Sequence, residues 1–583
     1  MPSITLLHCL LATTAVGIAG EFSEPRVVGT PPADAGRGLV RVSASEIRHY
    51  DGDRKEPGYL VSQDNGESWT YRKAGKDYPP NFGGISKEAP AFARNPRTGE
   101  FVRIQPIKDH VFISKGGLDG QWLAATKEGK LTAEWQTPAQ RQELFSLPGI
   151  IRSPLFFDGG KRLIVPTHNA GSGTTMWLSD DGGLNWRKSK SVISAPTHQA
   201  AGIHRGTRWQ NSGVEATVVE LKDGTLWALL RTSQDFHYES FSRDKGENWT
   251  AGKPSRFVGT LTMPTLGRLA DGRLLALWTN QAPLPEVEGA NGKSEDAFTN
   301  RDTLHAAVSS DEGRTWRGFR EVGLDEQRAR ADYATWGGPQ DRGNHQAEFV
   351  NLDANRILLA YGQHAKHRRL AIVDTRWLLE KSRKTDFSQG ATDWIHHTYI
   401  PQRKGHCSYD RKPAAQVIAH PSRASTKVLD ITFLDDAELV NSTNGADYRS
   451  GGAAWNFPAG KAGKVTLRFR LPAGSVGAHL SLMDRLHAAC DRTAPQFAVH
   501  TTRLAPGVTL GTATLKADTD HEIQLEWSDS EKGMCRLTLD GKPAGTLPLR
   551  NASVNGLSYL HVIADGNKPG PAIQLISVSA EVK

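Results

Sequence analysis

The chain has 583 residues, 38% hydrophobic and 23% charged, a balance that excludes a disordered chain and leaves room for several domains. Its 71 Lys and Arg against 63 Asp and Glu give a formal charge of +8, spread without a dense basic run. That excludes a nucleic-acid partner as the first reading and leaves acidic small ligands open. The 58 Gly and 15 Trp suit a turn-rich β protein. Residues 1–20 form an apolar stretch ending in small residues, which predicts a signal peptide cleaved near Ala19 or Gly20 and a secreted or periplasmic protein. This stretch is short for a membrane span, and no later one is apolar for long enough, so no membrane span is expected.

Residues 21–36 contain Pro and Gly and lead into a region punctuated by one phrase, Ser-x-Asp-x-Gly-x-x-Trp. Complete copies start at Ser62, Ser179, Ser242 and Ser309 and end at Trp69, Trp186, Trp249 and Trp316. A worn copy runs from Ser114 to Trp122. Ser and Asp close turns by bonding nearby N–H groups, Gly takes positive φ, and Trp packs the turn on its neighbour. A period of this size reads as a β-propeller with one four-stranded sheet per blade. Strand–turn–strand units such as Val218 to Gly224, Leu269 to Gly272 and Phe349 to Tyr361 bring the count to six blades, ending near residue 380.

The phrase resembles the Asp-box of sialidases and related propellers, and the resemblance covers roughly residues 35–380. The box is a structural turn and implies architecture, not chemistry. Residues 381–424 are polar and irregular and read as a linker or crossing segment. From 425 to 583 short alternating stretches such as Val465–Leu471 and His521–Trp527 predict a β-sandwich. It resembles a lectin-type jelly roll, which either binds glycan or buttresses the propeller, with support the favoured role. The fold class is therefore all-β: a six-bladed propeller followed by a sandwich. Cys490 and Cys535 share this last module; they either pair or remain buried thiols. No Cys/His spacing suggests a metal, and no cofactor is expected.

In a propeller the inner strand of each blade starts near the axis, where side chains share a pocket. The strand starts nominate Arg41, Glu88, Arg152, Glu215, and His345 with Gln346. Arg231 lies 16 residues after Glu215 on the next antiparallel strand, so both reach the axial end. In sialidases a Glu and a carboxylate-binding Arg are arranged in this way, and a further such Arg precedes the next Asp-box, as Arg301 does here. The resemblance implies that Arg231 and Arg301 hold a substrate carboxylate. Sialidases carry Arg-Ile-Pro in blade one; Arg41-Val42-Ser43, without the Pro, is the first candidate for that third arginine, and Arg152-Ser153-Pro154 in blade three echoes the Arg-x-Pro form. A planar guanidinium suits the task because it pairs with both carboxylate oxygens and stays charged.

The resemblance also implies an acid after the second strand of blade one, where Asp51 or Asp53 can serve, with Glu88 as an alternative. Sialidases use a Tyr nucleophile at the start of blade six. Gln346 holds that position here, beside His345, which takes the base or nucleophile role or hydrogen-bonds the substrate. Three readings follow. The first is a secreted sialidase-like glycosidase that removes a terminal acidic sugar from a glycan. The second is a propeller glycosidase or lyase acting on another sugar, such as a uronic acid. The third is a non-catalytic glycan-binding protein.

Overall fold

The structure is a computed structural model, described for residues 22–583 except 31–34, 52–57, 76–77, 80–90, 105–108, 148, 150–151, 168–171, 200–207, 209, 260, 285–300, 325–342, 363–367, 406–407 and 442–446. Six antiparallel sheets form the propeller. Blade one comprises Ala35–Arg41, Ile47–Asp51, Gly58–Ser62 and Thr70–Lys73. Blade four comprises Val214–Glu220, Leu226–Arg231, Phe236–Ser242 and Lys253–Val258. Blade five comprises Thr265–Arg268, Leu274–Trp278, His305–Ser309 and Arg317–Glu321. Blade two has a fifth strand, Leu131–Thr132, at its outer edge. Blade six is closed by the N-terminal segment: Arg26–Gly29 pairs with Arg369–Asp374 as its outermost strand. The residues read as a lead-in thus fasten the first part of the ring to the last.

The inner strands touch around the axis. Between blades five and six, Thr265 Oγ1 donates to the Ala347 carbonyl at 2.8 Å and Asn351 Nδ2 to that of Arg268 at 3.2 Å. Large side chains fill the spaces between sheets. Phe257, Trp278, Trp316 and Phe319 form one such layer between blades four and five. Burying side chains of this size contributes about 1.5–3 kcal/mol each.

All four Asp-box turns close with the same bonds. In the copy starting at Ser242, Ser242 Oγ donates to Asp244 Oδ1 at 2.9 Å and accepts from Gly246 N at 2.9 Å. Asn248 N donates to Asp244 at 2.9 Å, and Trp249 Nε1 to the Gly246 carbonyl at 3.0 Å. Gly313, in the fourth copy, sits at φ +85°, and a Cβ there would lie 2.8 Å from Trp227 Cζ3. Glycine is required for the turn and also for its seat against the blade before it.

The C-terminal part is a sandwich of two antiparallel sheets. One includes Ala415–His420, Arg423–Phe433, Gly463–Arg470, Asp520–Trp527, Cys535–Leu539, Lys542–Leu547 and Gly570–Val582, with Ser382–Thr385 paired to the last of these. The other comprises Trp394–Ile395, Gly452–Gly460, Ala478–Met483, His500–Leu504 and Leu557–Ala564. Trp394, Trp455, Trp527, Leu467, Phe469, Leu482 and Leu560 fill the space between them. The segment 381–424 is therefore corrected from a linker to part of this unit. Two of its strands pair far along the chain, Ser382–Thr385 with Gly570–Val582 and Trp394–Ile395 with Gly452–Gly460. Cys490 and Cys535 are both free buried thiols, packed in different clusters.

Tyr559 and His561 emerge from the outer face of the five-stranded sheet, together with Met483. His561 Nε2 bonds the Ala488 carbonyl, and Met483 and Tyr559 pack under Leu486, Ala489, Ala494 and Ala498. That face is covered by its own chain and by blade five, where Tyr559 meets His305 and Glu321. Among the described residues no helix is long and apolar enough to cross a membrane.

Candidate active site

Glu215 is the second residue of blade four's inner strand, at φ +47°, where a register shift separates Val214 from Thr217. A non-glycine residue in the left-handed region stores strain of about 1–3 kcal/mol. The bulge re-aims its side chain toward the end of the neighbouring strand. There Arg231 Nη1 donates to both Glu215 oxygens at 3.0 Å. The pair is nearly buried, with Glu215 6% and Arg231 4% exposed. Arg152, arriving from blade three, donates from Nε at 3.2 Å and from Nη2 at 3.0 Å to the Glu215 carbonyl. It also reaches Thr265 Oγ1 at 3.1 Å and the Pro264 carbonyl. One guanidinium thus ties blades three, four and five together at the axis.

Arg301 stands ahead of blade five's third strand, at φ +45°. Its Nη2 donates to the Leu261 carbonyl at 2.8 Å, and its Nη1 lies 2.9 Å from His345 Nε2. A guanidinium only donates, so Nε2 accepts and the ring proton sits on Nδ1. The Met263 N–H, 3.4 Å from Nδ1, is then a contact and not a second bond to a lone pair. His345 is fully buried. Its Nε2 is engaged by Arg301, the geometry of a residue that holds Arg301 in place. Gln346 follows at φ +56°, so blades four, five and six each carry a strained residue near this end.

Arg41 is also corrected. It is the last residue of blade one's inner strand, which starts at Ala35, six residues earlier than a start at Arg41 implies. Its Nη1 donates to Asn65 Oδ1 at 3.0 Å and to the Asn351 carbonyl at 2.9 Å, so it lies beside the first Asp-box, at the opposite end of the strand. Asp51 closes the second strand opposite Ala35, at the axial end, and only its backbone is described. Asp53 and Glu88 lie outside the described residues.

A fourth buried guanidinium at this end escaped the sequence reading. Arg368 donates to His49 Nε2 at 3.1 Å, to the Gln346 carbonyl at 3.2 Å and to Glu348 Oε2 at 3.1 Å. Glu348 Oε2 also accepts from Gly38 N at 2.9 Å, joining blade six to blade one. Its signal in sequence is position: Arg368 immediately precedes the third strand of its blade, just as Arg301 stands shortly before the third strand of blade five. Among the described residues no group of His, Cys, Asp and Glu is arranged to hold a metal ion.

Buried imidazoles in both units make stability depend on pH. Burial, with Arg152 and Arg231 nearby, pushes His237 down to about 3. Burial, then Arg368, holds His49 well below the usual histidine range, and burial takes His561 to about 4. Each folded value is lowered, so the unfolded chain takes up the proton first, near pH 6.5. Stability is whole above that value and is lost as pH falls toward the folded values. Between pH 7 and pH 5 each of these histidines is expected to remove about 2 kcal/mol, before most carboxylates titrate. Urea midpoints at the two pH values measure the loss, and His237→Gln should shrink it. Equal midpoints in the parent protein would refute the account.

Residues 110–336 match the family model of the BNR repeat-like domain. The matched stretch carries three of the four complete Asp-box turns, those starting at Ser179, Ser242 and Ser309. No curated protein matches the chain. Similar solved structures include a protein of unknown function from Dyadobacter fermentans, at 18% identity over 60% of this chain and 98% of that one, with a TM-score of 0.39. A Trypanosoma rangeli sialidase in complex with 2,3-difluorosialic acid, as a covalent intermediate, matches at 12% identity over 96% and 91%, with a TM-score of 0.36. The NanB sialidase from Streptococcus pneumoniae matches at 14% identity over 60% and 69%, with a TM-score of 0.33.

Proposed function

We propose that the protein is an exported, sialidase-like glycosidase that removes a terminal acidic sugar, most simply sialic acid, from a glycan. The observation that carries this reading is the Glu215–Arg231 pair at the axial end of blade four, flanked by Arg152 and Arg301 from the adjacent blades. Guanidinium groups gathered at one end of a propeller axis suit a substrate bearing a carboxylate. In this reading Arg231 and Arg301 hold the carboxylate, and Glu215 fixes Arg231 and faces the reacting centre. The proton for the leaving oxygen comes from Asp51, Asp53 or Glu88. The BNR repeat-like match supports the scaffold and leaves the chemistry to the site.

A second reading is favoured by Gln346 and by the engagement of His345 with Arg301. Gln is no nucleophile, and the bond to Arg301 takes the His345 lone pair. Direct attack by water, or elimination from a uronic acid, needs neither residue to form a covalent bond. The test is sugar release from a panel of α-sialosides and uronosides by the parent protein, Glu215→Gln and Arg301→Ala. Sialic acid is expected as product, with kcat/KM falling about a hundredfold or more in each variant. Release of a uronic acid alone would move the protein to the second reading. Binding of these sugars without any release would make it a glycan-binding protein.

A further inference from the structure

The hairpin of His397–Gly405 and Ser408–Pro413 belongs by sequence to the C-terminal unit, yet its polar side chains end on blade five. Tyr399 donates its hydroxyl to Asp302 Oδ2, and Arg411 Nη2 donates to Oδ1. Gln281 Nε2 adds a bond to Oδ2 at 2.9 Å, and His397 Nε2 lies 3.8 Å from Oδ1. Asp302, Tyr399 and His397 are fully buried and Arg411 is 4% exposed.

The backbone of Asp302 is held as firmly as its carboxylate. Its N–H donates to Gln281 Oε1 at 3.0 Å, and its carbonyl accepts from Asn344 Nδ2 at 2.7 Å. The Asn344 N–H returns to the carbonyl of Arg301 at 2.7 Å. Asp302 follows Arg301 directly, and His345 follows Asn344. The clamp therefore grips both residues that fix the Arg301 guanidinium: Arg301 itself and its imidazole partner.

Cohesion between the two units does not call for this arrangement. Burying a carboxylate is costly, and apolar packing of equal volume holds domains together at least as well. A left-handed arginine persists only where its surroundings over-determine it. A fully bonded charge next to such an arginine does that.

We propose that Tyr399 and Arg411 are positioning residues for Arg301. The hairpin of the C-terminal unit clamps Asp302 and thereby aims the Arg301 guanidinium at the carboxylate of an acidic sugar. The inference rests on the reading of this site as one for a sugar acid. It makes the C-terminal unit a part of substrate recognition without its touching the substrate.

The test uses the full-length protein with Tyr399→Phe, which keeps the ring and removes one bond, and with Arg411→Lys beside Arg411→Gln. The first readout is hydrogen exchange at the amides of Asp302 and Asn344. Both should exchange about tenfold faster in Tyr399→Phe, the effect of one bond to a charged group. The second is kcat/KM for the 4-methylumbelliferyl glycoside of the sugar acid and for its methyl ester. The acid-to-ester ratio should fall about fivefold to tenfold, carried by KM, because only the acid needs Arg301 aimed. Arg411→Lys should retain more of the ratio than Arg411→Gln. Unchanged exchange at both amides overturns the proposal whatever the activity, and so does faster exchange with an unchanged ratio. A parent protein that neither cleaves nor binds any acidic sugar overturns instead the reading on which the proposal rests.

Discussion

Arg231→Ala should lower stability by about 3–5 kcal/mol and reduce turnover of an acidic substrate about a hundredfold or more. Both effects come from one geometry. Glu215 is 6% exposed and receives two bonds from Arg231 Nη1. Removing the cation leaves a buried carboxylate uncompensated, which costs far more than the net worth of the pair. The double variant Glu215→Gln with Arg231→Met separates the effects. It removes both charges and keeps most of the volume, so stability should return to within about 1 kcal/mol of the parent. Activity should not return, because the groups that face the substrate carboxylate and reacting centre are gone. Chemical denaturation and sugar release on the same three proteins decide the matter. A double variant no more stable than Arg231→Ala would mean that the loss was one of packing and not of charge.

What the sequence disclosed followed the reach of each interaction. The Asp-box turns were legible because their bonds span only two to four residues, from Ser242 to Asp244 and Gly246. Six sheets could be counted because the turn recurs between the third and fourth strands of four of them, and strand–turn–strand units mark the rest. The strand that closes blade six was not legible, since Arg26 pairs with Ile372 from the other end of the propeller. Glu215 and Arg231 were found because a single Asp-Gly turn joins their strands. Arg41 was misplaced because the start of blade one carries no comparable punctuation, and its strand begins at Ala35. The roles of Tyr399 and Arg411 stayed hidden for a plainer reason. They meet Asp302 across 97 and 109 residues, and nothing in their local sequence names that partner.

A chain ending at Glu380 should fail to give a folded propeller. The loss would fall mainly on blade five. Its outer strand, Arg317–Glu321, packs against Gly452–Gly460 of the sandwich, where Asn456 accepts from the Glu321 N–H at 3.1 Å and donates to the Phe319 carbonyl at 3.1 Å. Asn280 N donates to His305 Nδ1 at 3.1 Å, so His305 Nε2 carries a proton toward the Tyr559 oxygen, and Tyr559 in turn donates to Glu321. The Ala282 N–H donates to the Leu486 carbonyl, and the Leu486 N–H to that of Asn280, each at 2.9 Å. Truncation removes every one of these partners and both hairpin bonds to Asp302. The hydrogen bonds that fix this edge of blade five are lost with the sandwich, each worth about 0.5–1.5 kcal/mol. Total stabilities of about 5–15 kcal/mol do not survive that together with the newly exposed apolar surface. The truncated chain is therefore expected to be insoluble, or to lack a cooperative urea transition and a near-ultraviolet dichroism signal. The full chain should unfold in a single transition that includes both units. A soluble fragment ending at Glu380 with a cooperative transition of its own would show that the sandwich leans on the propeller and does not complete it.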